Sequence, residues 1–135
     1  MKARSRVRQR GFTLIEMVIV IVVMGVLMAL ALPMYNTAIT RSKEARLHHN
    51  LVTINNLIQQ YTLDKKAAPQ QLDDLVAAGY LKSIPDDITG SNTTWQTDNE
   101  ESEKAVNPDQ TGIASVRSGS DEPSLDGTPY SSWQK

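Results

Sequence analysis

Gly11-Phe12-Thr13-Leu14-Ile15-Glu16 runs directly into Met17-Val18-Ile19-Val20-Ile21-Val22-Val23-Met24, and the apolar run ends only at Leu32-Pro33. No polar side chain occurs over residues 17–32, and counted from Phe12 the segment holds 21 residues. As a helix rising about 1.5 Å per residue it would be ~31 Å long, matching a hydrocarbon core of about 30 Å. One carboxylate, Glu16, stands at the threshold of this segment, where an ionised group is costly and therefore points to a role. Upstream lie five bases in ten residues, Lys2, Arg4, Arg6, Arg8 and Arg10. Such a basic flank stays cytoplasmic, so the sequence predicts one span, with everything after Pro33 on the far side of the membrane.

A conventional secretory leader also begins with bases and an apolar stretch, and Ala29-Leu30-Ala31 offers a small-residue cleavage site. The apolar run here exceeds the usual length of such a leader, about 7–15 residues, and a leader has no physical use for Glu16. The hexapeptide at residues 11–16 resembles the prepilin-peptidase site of type IV pilins and type II secretion pseudopilins. The resemblance implies cleavage after Gly11 and methylation of the new Phe12 amine. Glu16 would then lie one turn from that amine and pair with the Phe12 amine of a neighbouring copy, which pins the axial register of a helical assembly. The resemblance extends through Pro33.

Loss of residues 1–11 would leave nine bases against fifteen acids, a formal side-chain charge of −6. That balance argues against a nucleic-acid surface, which needs a basic stripe. About a hundred residues follow Pro33, enough for one small domain. There is no cysteine, so the domain is held by its core, by neighbours or by a metal.

Beyond Pro33 the helical pattern resumes. Leu47, Leu51, Ile54, Ile58 and Tyr61 form one apolar stripe, with Asn, Arg, Lys and Gln opposite. Residues 12–63 are therefore read as one helix in two halves, apolar all round over 12–33 and amphipathic over 34–63. A second helix is expected over 69–78, with Pro69 opening it and Gly79 stopping it. Tyr80-Leu81, Ile84, Trp95, Ile113 and Val116 suggest two or three short strands, and the polar stretch 96–112 reads as a loop. The expected class is α+β: a long N-terminal helix packed on a small head with a short helix and a short antiparallel sheet. The expected division is a leader at 1–11, a transmembrane and polymerisation helix at 12–33, its amphipathic continuation at 34–63, and a head at 64–135.

Tyr61-Thr62-Leu63-Asp64, Pro69, Leu72, Leu75, Gly79-Tyr80-Leu81 and Pro85-Asp86 resemble the major pseudopilins of type II secretion, as do Gly119, Asp121, Asp126-Gly127 and Trp133. The chain departs from them at Asp86-Asp87-Ile88-Thr89-Gly90, where the family has Asp-Pro-Trp-Gly, and in the acidic insertion Glu100-Glu101-Ser102-Glu103. The resemblance implies a fibre-forming structural subunit of protein export, held in the inner membrane before assembly. Implied partners are other copies of the chain, sister minor pseudopilins, the prepilin peptidase, an inner-membrane platform protein and an assembly ATPase. A type IV pilus subunit for adhesion, motility or DNA uptake shares the same N-terminal chemistry. A conventionally secreted binding domain is the rival from another class.

Ser118-Gly119-Ser120-Asp121-Glu122 and Asp126-Gly127 place three acids and two serines in a glycine-rich stretch. Calcium takes six to eight oxygen ligands, but this spacing is not an EF-hand loop, and an acidic turn reads equally as solvated surface. The resemblance implies a structural calcium here, with Asp121 and Asp126 at the best-matching positions and Ser118 and Glu122 beside them. His48 and His49 are adjacent, point about 100° apart and cannot share a metal as an i, i+4 pair would. Asp73-Asp74 and Asp86-Asp87 read as solvated acids. No nucleophile–histidine–carboxylate spacing or phosphate-binding loop occurs, so the sequence predicts neither an enzyme nor a catalytic cofactor.

Overall fold

The computed structural model describes residues 11–133; residues 1–10 of the leader expected at 1–11, and residues 134–135, lie outside them. The element order is α1 (Leu14–Lys65), α2 (Asp73–Ala77), β1 (Gln96–Asn99), β2 (Ile113–Arg117) and a 3-10 turn at Tyr130–Ser132. This is the α+β arrangement that the hydrophobic periods predict. Residue contacts divide the chain into two units, 1–38 and 39–135.

The first unit holds the apolar part of α1. Its side chains have no core to enter: Phe12, Leu14, Ile21, Met28 and Leu32 are all more than 60% exposed. Among the described residues this is the one helix long and apolar enough to cross a membrane. Pro33 lies inside α1 and does not end it. Its ring removes one backbone donor, and the Thr37 hydroxyl donates to the Pro33 carbonyl at 3.2 Å one turn later.

The second unit holds the core. Leu47, Leu51, Ile54 and Ile58 of α1 are at most 2% exposed and meet Leu75, Trp95, Ile113, Val116 and Tyr130. The stripe read from the sequence is thus the buried face, with one addition. Asn55, expected on the wet side, is buried and bridges α1 to β2. Its Nδ2 donates to the Val116 carbonyl at 3.3 Å and its Oδ1 accepts the Val116 N–H at 2.8 Å. Thr62, also buried, donates to the Ile58 carbonyl at 2.8 Å and so satisfies itself within the helix. α1 ends at Lys65, and Lys66 takes φ 58°, a left-handed stop without glycine.

Helix α2 is shorter than expected. Pro69 does not open it; its carbonyl instead accepts the Ile113 N–H at 2.8 Å. The Oδ2 of Asp74 reaches back to the Gln70 and Gln71 N–H groups at 2.8 and 3.0 Å and holds that stretch as a turn. Gly79 does stop the helix, at φ 83°. The Tyr80 N–H bonds the Leu75 carbonyl and the Gly79 N–H that of Val76, the paired bonds of a Schellman cap.

The sheet has two antiparallel strands, with Thr97 opposite Val116 and a register shift between Asp98 and Asn99. No strand forms around Tyr80-Leu81 or Ile84. The expectation of a loop over 96–112 is corrected at its start, because 96–99 is β1. Gln96-Thr97-Asp98-Asn99 has no apolar side chain and is mostly exposed, so no alternation announces it. It is a strand because β2 supplies its partners.

Candidate functional site

At the start of α1 the Thr13 N–H and hydroxyl both donate to Glu16 Oε2, at 2.9 and 3.0 Å, and the Glu16 N–H reaches Thr13 Oγ1 at 3.3 Å. This is a capping box: Thr13 is the N-cap residue and Glu16 the third helical position. The signature Thr-x-x-Glu stood in the sequence, and Thr13 is a site residue that the charge argument passed over. One carboxylate oxygen is engaged inside the chain; among the described residues the other, Oε1, has no hydrogen-bond partner. Phe12 is 78% exposed beside it. Among the described residues, a Cβ at Gly11 would meet nothing within 4 Å.

The structure does not gather Ser118, Asp121, Glu122 and Asp126 into a ligand set. Ser118 is fully buried, and its hydroxyl donates inward to Asp87 Oδ2 at 2.9 Å. Asp121 Oδ1 accepts the Ser131 hydroxyl at 2.6 Å, while the Glu122 and Asp126 side chains are exposed. Among the described residues no three His, Cys, Asp or Glu side chains are placed to hold a metal. As arranged, these residues do not fit a calcium ion.

Two carboxylates hold this C-terminal stretch instead. Asp87, expected as solvated surface, is 4% exposed. Its Oδ2 accepts the Ser118 hydroxyl, the Gly119 N–H at 3.0 Å and the Thr94 hydroxyl at 3.0 Å, and its Oδ1 accepts the Ile88 N–H at 2.7 Å. A buried carboxylate persists only when its lone pairs are met, and four donors meet them here. A side chain on Gly119 would run into the Thr94 carbonyl, so this close approach demands glycine. The second anchor is Glu44 of α1, whose Oε1 accepts the Leu125 N–H at 2.7 Å and the Tyr130 hydroxyl at 3.0 Å. Burial, then that bond to Glu44, raises the Tyr130 pKa above its ordinary value. Tyr80 is raised likewise, chiefly by its 2.7 Å bond to Asp64. His48 and His49 are both exposed on α1.

An exposed apolar helix behind a capped acidic threshold, joined to a small α+β head, defines the pilin-like class. Residues 6–32 match the family described as the prokaryotic N-terminal methylation motif. The chain is 33% identical over 100 residues to the type II secretion system core protein G of Klebsiella pneumoniae, covering 62% of this chain and 71% of that protein. It is 32% identical over 104 residues to the protein of the same name from Escherichia coli (strain K12), covering 65% and 72%. It is also 40% identical over 60 residues to the type IV major fimbrial protein FimA of Dichelobacter nodosus, covering 44% and 38%. No solved structure matches. The chain belongs to the family of the type II secretion system core protein G, the major pseudopilins. That family is structural rather than catalytic, and its apolar N-terminal helix fits anchoring in the inner membrane.

Proposed function

We propose that this chain is a structural subunit, stored in the inner membrane and polymerised into a periplasmic fibre that drives protein export by type II secretion. The division at 1–11, 12–33, 34–63 and 64–135 then acquires roles: leader, spanning and polymerisation helix, amphipathic continuation, and periplasmic head. The prepilin peptidase cuts after Gly11 and Phe12 is methylated. The N-terminus starts in the cytoplasm and the head faces the periplasm. The observation that carries this reading is the apolar stretch of α1, exposed along its whole length behind one carboxylate.

Lipid is as apolar as leucine, so exchanging lipid for sister helices is nearly balanced, and assembly needs an external drive. The assembly ATPase and the platform protein supply it; sister minor pseudopilins join the same fibre. Glu16 gives the exchange its register. An unpaired carboxylate at membrane depth costs about 2.5–3.5 kcal/mol, less near the interface. Glu16 Oε1 is the oxygen left for the Phe12 amine of the next copy while Thr13 keeps Oε2.

Mass spectrometry of the mature chain tests the processing: an N-terminal methylated Phe12 is expected, and a start near Leu32 would mean a conventional leader. Deleting the gene and comparing exported proteins with surface fibres and twitching separates export from the pilus role that the fimbrial similarity allows. Loss of export with pili intact is the expected result.

A further inference from the structure

The stretch from Ser118 to Ser131 distributes its hydrogen bonds in two ways. Several of its donors go to carboxylates from elsewhere in the chain: Ser118 and Gly119 donate to Asp87, Leu125 and Tyr130 to Glu44. Its carbonyl oxygens are met from within. The Ser120 carbonyl accepts the Ser131 N–H at 2.8 Å and the Glu122 carbonyl the Tyr130 N–H at 3.1 Å. The Thr128 carbonyl accepts the Ser124 N–H at 2.8 Å and the Ser124 carbonyl the Gly127 N–H at 2.9 Å. Pro123 and Pro129 face each other between these bonds, so residues 120–131 close as an irregular antiparallel hairpin. At its open end Asp121 Oδ1 accepts the Ser131 hydroxyl at 2.6 Å.

Calcium takes six to eight oxygens that converge on one point at about 2.3–2.6 Å. The oxygens of this stretch are aimed elsewhere. Four carbonyls are directed at N–H groups of the hairpin, one Asp121 oxygen at a hydroxyl, and the Ser118 hydroxyl at Asp87. Glu122 and Asp126 are exposed, and among the described residues no three acids or histidines are placed to share an ion. An ion could enter only by opening bonds in which donor and acceptor are already satisfied. The Asp121–Ser131 bond also joins positions ten residues apart. That is the closure a cation held between the two arms would give.

We propose that the C-terminal loop of this head is closed without a divalent cation, with Asp121 and Ser131 as its clasp. The family resemblance implies a calcium ion in the same loop; here donor–acceptor pairing does what coordination would do. The head then keeps its shape whatever the calcium level around it. Nothing in this closure depends on the export role.

Thermal unfolding of the full chain in detergent, with calcium chloride as the only addition, tests this. A site filled about a thousandfold above its dissociation constant would raise Tm by more than about 10 °C. For the parent chain a change below about 1 °C is expected up to millimolar calcium. Ser131→Ala removes the donor of the clasp and should lower Tm by about 4 °C, equally with and without calcium. Asp121→Asn keeps an oxygen for the Ser131 hydroxyl but loses the charge a cation needs, and should melt within about 2 °C of the parent. A rise of several degrees in the parent on adding calcium would overturn the proposal. So would a Ser131→Ala variant that melts like the parent, or an Asp121→Asn variant that loses as much as Ser131→Ala.

Discussion

Asp87 shows how much one side chain can decide. It gathers the 88, 94, 118 and 119 positions around a buried carboxylate. Asp87→Ala strands those donors, and unmet buried donors cost about 1–3 kcal/mol each, partly recovered by water. A loss of about 3 kcal/mol in urea unfolding of the detergent-solubilised chain is expected; under about 0.5 kcal/mol would mean that the network does not hold the head. Tyr130→Phe removes only the hydroxyl bond to Glu44 and should cost about 1 kcal/mol in the same measurement. Both Tyr80 and Tyr130 have pKa values raised by folding, so their neutral forms are favoured in the native state. Their contribution is complete below the unfolded tyrosine value of about 10 and is lost as pH rises through the higher folded values. Stability should therefore fall on the alkaline side of about pH 10, and less steeply in Tyr130→Phe, as thermal melts across that range would show. At the other end of the chain, Glu16→Gln keeps an oxygen acceptor for Thr13 but loses the charge. Normal membrane insertion with fibre assembly reduced at least about tenfold is the expected outcome. Fibres of unchanged yield would refute pairing with the Phe12 amine.

At the scale of elements, helix α1 and strand β2 are joined by more than apolar packing. Asn55 offers Val116 the two hydrogen bonds that another strand would give. Asn55→Leu keeps the branched shape and should cost about 2 kcal/mol, because the Val116 N–H and carbonyl are left unmet. Chemical denaturation decides this, and a neutral result would reduce the bridge to ornament. Gly112 packs so closely that a Cβ would sit 2.5 Å from the Pro69 carbonyl oxygen. Gly112→Ala should therefore push β2 away from the 68–69 turn.

For the molecule as a whole, the two anchors Asp87 and Glu44 fix the C-terminal stretch to the 86–90 loop and to α1. With Ser118 turned inward and Asp121 bonded to Ser131, excess chelator is expected to leave the melting temperature unchanged. A fall of several degrees would show that Asp121, Glu122 and Asp126 regroup around an ion, as the family resemblance implies.

The sequence alone determined the long helix, its exposed and buried stretches, the Gly79 stop and the α+β class. Each follows from a local property: apolar period, side-chain charge or backbone freedom at one residue. The Thr13–Glu16 cap was equally local and readable at a spacing of three. Tertiary structure alone decided that Gln96-Thr97-Asp98-Asn99 is a strand, that Asn55 faces inward, and that Asp87 is buried and holds Ser118 and Gly119. Polar residues carry no period, and their fate depends on partners between 7 and 61 positions away in the chain. Only folding brings such partners within hydrogen-bonding distance.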